Sequence, residues 1–139
     1  MITYALIDKL ANDNSRFVLD KNLFWEELPL QRDGSPALGV WAITRGGSSK
    51  NSLNGLNQKT VVDFYIAEAN KAKAEAVANE IYKWSLANNA ICELSGTLGG
   101  ENYSYKNIRL WQTSTPQNQG TTPNGAIVKM ISLIVIYDN

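Results

Sequence analysis

The sequence contains no histidine and only one cysteine, Cys92, among its 139 residues. Without histidine the chain has no Ser-His or Cys-His nucleophilic catalysis, no imidazole proton shuttle and none of the zinc sites that need imidazole. One cysteine excludes an internal disulfide. We therefore expect no metal, no cofactor and no catalytic residue, and any search for chemistry falls on the carboxylates.

Charged residues are also few, and the two signs balance. Lysine and arginine together number 13, aspartate and glutamate together number 13, and only 19% of the residues are charged. Binding to phosphates needs a concentrated positive field, so the composition indicates no nucleic-acid partner. A chain of zero net charge repels its own copies weakly, which is compatible with self-association.

Long apolar runs are missing as well. A membrane helix needs roughly 18 to 20 apolar residues, whereas the candidate run from Ile127 to Tyr137 is shorter and contains Lys129. Asp8 and Lys9 interrupt the first apolar run, so it does not read as a secretory signal. We expect a protein that folds in a reducing cytoplasm and has no membrane partner.

The chain does contain a succession of amphipathic segments, which predicts one domain over residues 1–139. Residues 22–31 give no clear assignment. The order favours an α+β fold, with an antiparallel sheet of about four to five strands packed against one long helix and one short N-terminal helix. The predicted elements are a helix at 3–14 capped by Thr3, strands at 36–45 and 59–67, a helix at 71–87 capped by Asn70, and strands at 91–94, 103–112 and 127–137.

The last predicted strand is apolar on both faces. Ile131, Leu133 and Val135 alternate with Met130, Ile134 and Ile136, a pattern typical of a central strand that is covered on both sides. The strand at 36–45 shows the same property. Each of these strands therefore predicts a core on one side and a second covering partner on the other.

Two polar, glycine-containing segments, Gly46 to Asn57 and Thr113 to Gly125, are predicted as long hairpin loops. Loops of about a dozen residues are uncommon in compact domains and are either tolerated insertions or functional segments. In the functional interpretation they become ordered against a neighbouring subunit, and Trp111 anchors that contact. The candidate interface residues are Arg45, Gly46, Gly47, Lys50, Asn54, Arg109, Trp111, Thr115, Gln117 and Gln119.

Four carboxylates deserve consideration as an acid–base pair: Glu26, Glu27, Asp63 and Glu93. Glu26 and Glu27 are adjacent and point to different sides of any regular element, which favours a solvated surface. Asp63 is expected on the exposed side of an alternating strand. If that side is covered, Asp63 needs a cationic partner such as Arg45 or Arg109.

The layout resembles the tail-terminator and minor capsid (tail-completion) proteins of long-tailed phages. The resemblance covers nearly the whole chain and rests on four stretches: ITYALIDKLAND, PALGVWAITRGG, VVDFYIAEANKAKAEAVANEIYKWSL and NGAIVKMISLIVIYDN. It implies a virion structural protein without an active site. Such subunits form a ring, usually hexameric, that caps the tail tube at its head-proximal end and joins it to the head.

The resemblance therefore implies three partners, which are further copies of the chain, the tail tube protein and a head-completion protein. It implies assembly in the host cytoplasm and a final place in the virion. A head-completion (neck) protein is the alternative within this class. A binding domain for a small ligand or peptide, with Trp41, Tyr65 and Trp111 lining a pocket, is the alternative from another class, and an enzyme that uses carboxylates comes third.

Overall fold

A computed structural model of the chain describes residues 1–30, 32, 34, 37–50 and 58–138, without the side chains of residues 46–50. Within these residues the chain forms two helices and seven strands, most of which belong to a single sheet path. In chain order they are α1 (Ile2–Asp13), β1 (Leu23–Trp25), β2 (Gly39–Lys50), β3 (Gln58–Glu68), α2 (Lys71–Ala87), β4 (Ala90–Leu98), β5 (Glu101–Gln112), β6 (Gln117–Thr121) and β7 (Ile127–Asp138).

The sheet is mixed and mostly antiparallel. Its strand order is β1-β2-β3-β7-β5-β4, and β6 pairs with β7 beside this path. β1 runs parallel to β2, whereas the other pairs are antiparallel. The prediction of an antiparallel sheet of four to five strands packed on one long and one short helix is therefore wrong. The protein is mostly β, with a larger, curled, mixed sheet and two helices.

β1 is the strand that the sequence left unassigned. It has only three residues, Leu23–Trp25, and is held by its neighbour β2. The backbone N–H of Val40 donates to the carbonyl of Asn22 at 2.8 Å, and that of Glu26 donates to the carbonyl of Ala42 at 2.8 Å. So short a strand has no periodicity of its own, and its partner determines its conformation.

Both predicted long loops are partly strand. Gly46–Lys50 continues β2, with an irregularity in its pairing to β3 between Arg45 and Ser49. Residues 51–57, which include the candidate Asn54, lie outside the described residues. In the second loop, Gln117–Thr121 forms β6 and pairs with β7 in line with β5, so the prediction of a loop at 113–125 is wrong at its centre.

α2 confirms the prediction made for residues 71–87. The side chain of Asn70 accepts a hydrogen bond from the backbone N–H of Lys73 at 2.9 Å, which satisfies one of the free N–H groups of the first turn. Val77, Ile81 and Trp84 are buried as predicted, but Ala69 and Ala76 are exposed. The small residues that face the core are Ala74 and Ala78.

α1 spans Ile2–Asp13, close to the prediction, but Thr3 does not cap it. The residue before the helix is Met1, which makes no side-chain capping bond. Thr3 is buried instead, and its hydroxyl shares a 2.7 Å hydrogen bond with the hydroxyl of Thr44 on β2. This bond ties the start of α1 to the sheet.

Both helices lie on one side of the sheet. α2 packs against β3, β7 and β5, whereas α1 contacts β1, β2 and β4, which come from opposite ends of the strand order. A sheet that touches one helix with both ends must curl around it. The main core fills the concave side, and its largest fully buried side chains include Phe64, Leu6, Leu10, Ile81, Ile131 and Leu133.

Candidate functional site

The convex side of the sheet, opposite both helices, is the candidate site and is called the outer face below. Strand register shows which residues share it, because side chains alternate between the two sides of a strand. Ile43 lies opposite Asp63 and Asp63 opposite Ser132, while Arg45 lies opposite Val61. From the pairing the outer face comprises Trp41, Ile43, Arg45, Lys59, Val61, Asp63, Tyr65, Arg109, Trp111, Met130, Ser132, Ile134 and Ile136.

Much of this face is apolar and only half-buried. On the concave side, Ile131, Leu133 and Val135 of β7 are all at most 1% exposed. On the outer face the corresponding residues are partly accessible, and no described helix covers them. They are Trp41, Ile43, Val61, Tyr65, Met130, Ile134 and Ile136. Accessible apolar side chains on one face of a sheet, here divided by Asp63 and Ser132, are a common mark of a protein–protein contact.

β7 has the central position that its sequence predicts. It pairs with β3 on one side, and with β5 and β6 on the other. At one end of its outer face, Val128 is buried in a small cluster with Leu28, Trp41 and Tyr65. Further along the strand, Met130, Ile134 and Ile136 remain partly accessible. These three residues of β7 are thus available to another molecule.

A buried ion pair stands in the middle of the outer face. Asp63 is 0% exposed, so the expectation of a solvated Asp63 is wrong. The Nε of Arg45 donates to Asp63 Oδ2 at 2.7 Å, and the Ser132 hydroxyl donates to Asp63 Oδ1 at 2.6 Å. Arg45 Nη2 also donates to Ser132 Oγ at 3.0 Å. Of the two partners considered, Arg45 and not Arg109 neutralises the carboxylate.

The opposite charges of Arg45 and Asp63 stabilise each other within the fold. The hydrogen bond from Arg45 to Asp63, reinforced by the charge of the carboxylate, raises the pKa of the guanidinium above its ordinary value. The interaction thus favours the charged form of Arg45. Because the side chain of Arg45 is 58% exposed while that of Asp63 is 1% exposed, the arginine forms a polar lid over the carboxylate.

The structure brings together only some of the predicted interface residues. Arg45, Arg109 and Trp111 share the outer face, and Trp111 is 52% exposed. Gln117 pairs with Met130 at the other end of β7 and is exposed, as is Gln119. Thr115 instead helps to line a cleft beside α2 with Glu75 and Lys129. Gly46, Gly47 and Lys50 lie in the β2 backbone, and Asn54 is outside the described residues.

The aromatic pocket considered from sequence does not form as predicted. Trp41 and Tyr65 stack on each other, with ring centroids 5.1 Å apart and planes 16° apart. Trp111 lies in a different cross-strand row, opposite Ile134 on β7. Trp111 does not complete a pocket with the stacked pair.

A different cleft exists that the sequence did not reveal. It has a volume of about 520 Å³ and lies between α1, the β1 segment and the end of β4. Aromatic, aliphatic and acidic side chains line it: Tyr4, Leu19, Asp20, Phe24, Trp25, Glu27, Pro29 and Leu98. The neighbouring aromatics and acids of Phe24–Glu27 were visible in the sequence, but the curl that brings Leu98 and Tyr4 to them was not.

The four carboxylates considered for catalysis are dispersed. Glu26 accepts a hydrogen bond from the Thr44 hydroxyl at 3.2 Å, and Glu93 accepts one from Ser104 at 3.3 Å. Asp63 is enclosed by its ion pair. Across the described residues, no group of three or more potential metal ligands occurs, and no helix there is long and apolar enough to span a membrane.

Comparisons with known proteins add no family assignment. No protein-family model, curated protein or solved structure matches the chain. The geometry of the outer face is therefore the observation that bears on function.

Proposed function

We propose that the chain is a non-enzymatic virion structural subunit of the tail-terminator or tail-completion type, which assembles into a ring that caps a phage tail tube. The observation that supports this proposal is the uncovered apolar outer face. Met130, Ile134 and Ile136 of the central strand remain partly exposed there, while Ile131, Leu133 and Val135 on the concave side of the same strand are buried. A subunit that spends its existence in an assembly can leave such a face open in its monomer.

The composition of the outer face suits a protein partner. Interface centres are rich in aromatic residues, methionine and arginine and poor in lysine and glutamate. Trp41, Tyr65, Met130 and the ion-paired Arg45 fit this description. Arg45 also makes the contact orientation-dependent, because a guanidinium held in place donates hydrogen bonds only to partner oxygen atoms at matching positions.

The proposed partners are further copies of the chain, the tail tube protein and a head-completion protein. Heterologous contacts between identical subunits close into a ring when the rotation per subunit divides a full turn. A ring of this kind, assembled in the host cytoplasm as the resemblance implies, would stop tube growth by covering the last layer. The polar turn at 122–125, where the Gly125 N–H donates to the Thr122 carbonyl at 2.9 Å, is proposed as a contact to a neighbour.

The experiment is the mass of the purified protein by light scattering across concentration, followed by negative-stain microscopy with and without the cognate tube protein. We expect a defined multiple of 15.4 kDa or a ring at the end of each tube. The variant Met130→Gln/Ile134→Gln should lose that assembly, whereas the control Leu86→Gln, on α2 at a residue that is 48% exposed, should keep it.

Circular dichroism confirms that both variants fold before their masses are compared. Wild-type protein that stays monomeric and neither caps nor binds the tube would contradict the proposal. Binding only to the head-side partner would favour the head-completion alternative. Unchanged assembly of the outer-face variant would show that the outer face is not the contact.

A further inference from the structure

We propose that copies of this chain join head to tail, with Arg109 and Trp111 of one copy inserted into the cleft between α1, β1 and the end of β4 of the next. The inference rests on the proposed self-assembly and assigns its two surfaces. The inserting pair is called the knob, and the 520 Å³ cavity described above is called the acidic cleft.

The acidic cleft combines apolar walls with negative charge. Phe24, Trp25 and Tyr4 form its aromatic part, and Tyr4 and Trp25 meet edge to face with ring centroids 5.6 Å apart. Asp20 and Glu27 also line it and are exposed, and neither has an ion-pair partner in the part of the chain that the structure describes. A cleft of this kind favours an aromatic group that is accompanied by a cation.

The carboxylate of Asp20 acts on the aromatic side of the cleft, where Tyr4 lies. Burial is the main cause that raises the pKa of the Tyr4 hydroxyl, and the charges of Asp8 and then Asp20 raise it further. Asp20 and Tyr4 line the same cleft, so the carboxylate faces the aromatic wall. A cation entering the cleft would be attracted both by this carboxylate and by the faces of the aromatic rings.

The knob has the complementary chemistry. Arg109 and Trp111 are two residues apart on β5, so both project from the outer face. Trp111 is 52% exposed and is the most exposed of the four tryptophans; Trp25 follows at 38%. Arg109 is exposed and has no ion pair among the described residues. Tryptophan and arginine are the residues most enriched at interface hot spots.

The knob and the acidic cleft cannot meet within one molecule. Leu98, in the cleft, pairs with Glu101 at the start of β5, whereas Trp111 is near the end of that strand. A strand rises roughly 3.3 Å per residue, so the two sites lie on the order of 30 Å apart along the sheet. They also open to opposite sides, the knob to the convex side and the cleft to the seam beside α1.

Two different surfaces that fit each other on identical chains produce a heterologous contact, in which every copy gives one knob and receives another. Zero net charge over the chain combined with separated local charge gives an attraction that is directional and does not require an oppositely charged second protein. The partner that occupies the acidic cleft is therefore a second copy of the chain.

The first experiment uses two half-inactive variants. Arg109→Glu/Trp111→Ala destroys the knob and leaves the cleft, and Asp20→Asn/Glu27→Arg does the reverse. Asparagine is chosen at position 20 because Asp20 has a φ of 65°, which asparagine tolerates. Each variant alone should be monomeric, whereas their mixture should give a species of two chains and no larger one, because only one knob–cleft contact remains.

The expected loss is large enough to measure. Truncation of a tryptophan anchor weakens association by about 30-fold or more when it is a hot spot. Lys83→Glu and Leu86→Ala, at exposed residues of α2, serve as matched controls and should associate like the wild type. Half-inactive variants that keep the wild-type mass would overturn the inference and leave the proposed ring intact.

A disulfide trap separates the inference from the tail function. In a Cys92→Ser background, Thr113→Cys and Pro29→Cys in one chain should give a ladder of cross-linked species under oxidation, while either cysteine alone should not. Thr113 is exposed beside the knob, so Trp111 stays in place as the anchor. The control places the first cysteine at the exposed residue Lys83 on α2 instead of at Thr113. A ladder from a protein that caps no tube would uphold the head-to-tail contact and refute the tail-terminator function, and the absence of a ladder at positions 29 and 113 would refute the contact.

Discussion

The ion pair between Arg45 and Asp63 gives a sharp prediction, because one partner is exposed and the other is completely buried. Their side chains are 58% and 1% exposed, and the Nε–Oδ2 distance is 2.7 Å. Removing one member of a fully enclosed pair costs about 3 to 5 kcal/mol. Water can reach this pair from the side of Arg45, so we expect a smaller value, about 2 kcal/mol, for Arg45→Ala.

Asp63→Ala should cost a similar amount for a different reason. It leaves the hydroxyl of Ser132, which is only 4% exposed, without the acceptor at 2.6 Å, and an unsatisfied buried hydroxyl costs roughly 1 to 3 kcal/mol. Because the two variants break the same interaction, the double variant should also cost about 2 kcal/mol, well below the sum of the single effects.

Urea unfolding at pH 7, followed by tryptophan fluorescence at low protein concentration, measures these free energies. For a domain of this size the dependence on urea is about 2 kcal/mol per molar, so each variant should lower the midpoint by about 1 M. Lys59→Ala, an exposed cation on the same face, is the control and should change the free energy by less than about 0.5 kcal/mol. Additivity of the two single effects would refute the assignment of a coupled pair.

Two further predictions concern other parts of the fold. Gly39→Ala should lower the free energy of unfolding by about 2 kcal/mol, since Gly39 has a φ of 145° and an added Cβ would lie 2.8 Å from the Asn22 carbonyl oxygen. The same urea assay measures this, and a loss below 0.5 kcal/mol would contradict it. Burial raises the pKa of Tyr105 above 10.0, so the unfolded chain releases this proton first and stability should fall as pH rises above about 10. Tyr105→Phe should match the wild type at pH 8 and lose less stability than the wild type by pH 11, and identical pH profiles would refute the role of that phenol.

The elements with strong local signals could be predicted from the sequence. α2 was predicted correctly because Asn70 caps it and its alanine-rich run favours a helix. β7 was predicted as a central strand because both of its faces are apolar. In each case the information lies within about a dozen consecutive residues, which is the range over which periodicity is visible.

The missed elements depend on partners that are distant in sequence. The residues of β6, QNQGT, are all exposed and polar, and they form a strand because the backbone of β7 offers hydrogen bonds. β1 exists through its parallel pairing with β2. Asp63 was placed in solvent because alternation predicts which side a residue is on but not whether Arg45 and Ser132 close over it.

Individual residues of the candidate site could be predicted from the sequence, but their arrangement in space could not. Arg109 and Trp111 were predicted as interface residues, and the structure places both on the outer face. The acidic cleft was not predicted, because Leu98 and Tyr4 come next to Trp25 only after the sheet has curled around α1. The curvature of the sheet creates this cleft, and no single stretch of the sequence carries a pattern that predicts it.

The position of β7 in the sheet has a consequence for synthesis. β3 ends at Glu68, but the strand that completes its second edge begins only at Ile127. While a ribosome produces the intervening residues, the nascent chain has two separate hairpins, β2–β3 and β4–β5, each with an open edge that the same later strand must join. Such open edges bind other chains readily. Slow translation between residues 68 and 127 should therefore increase misassembly, and codon choice in that interval becomes part of what determines the yield of folded subunits.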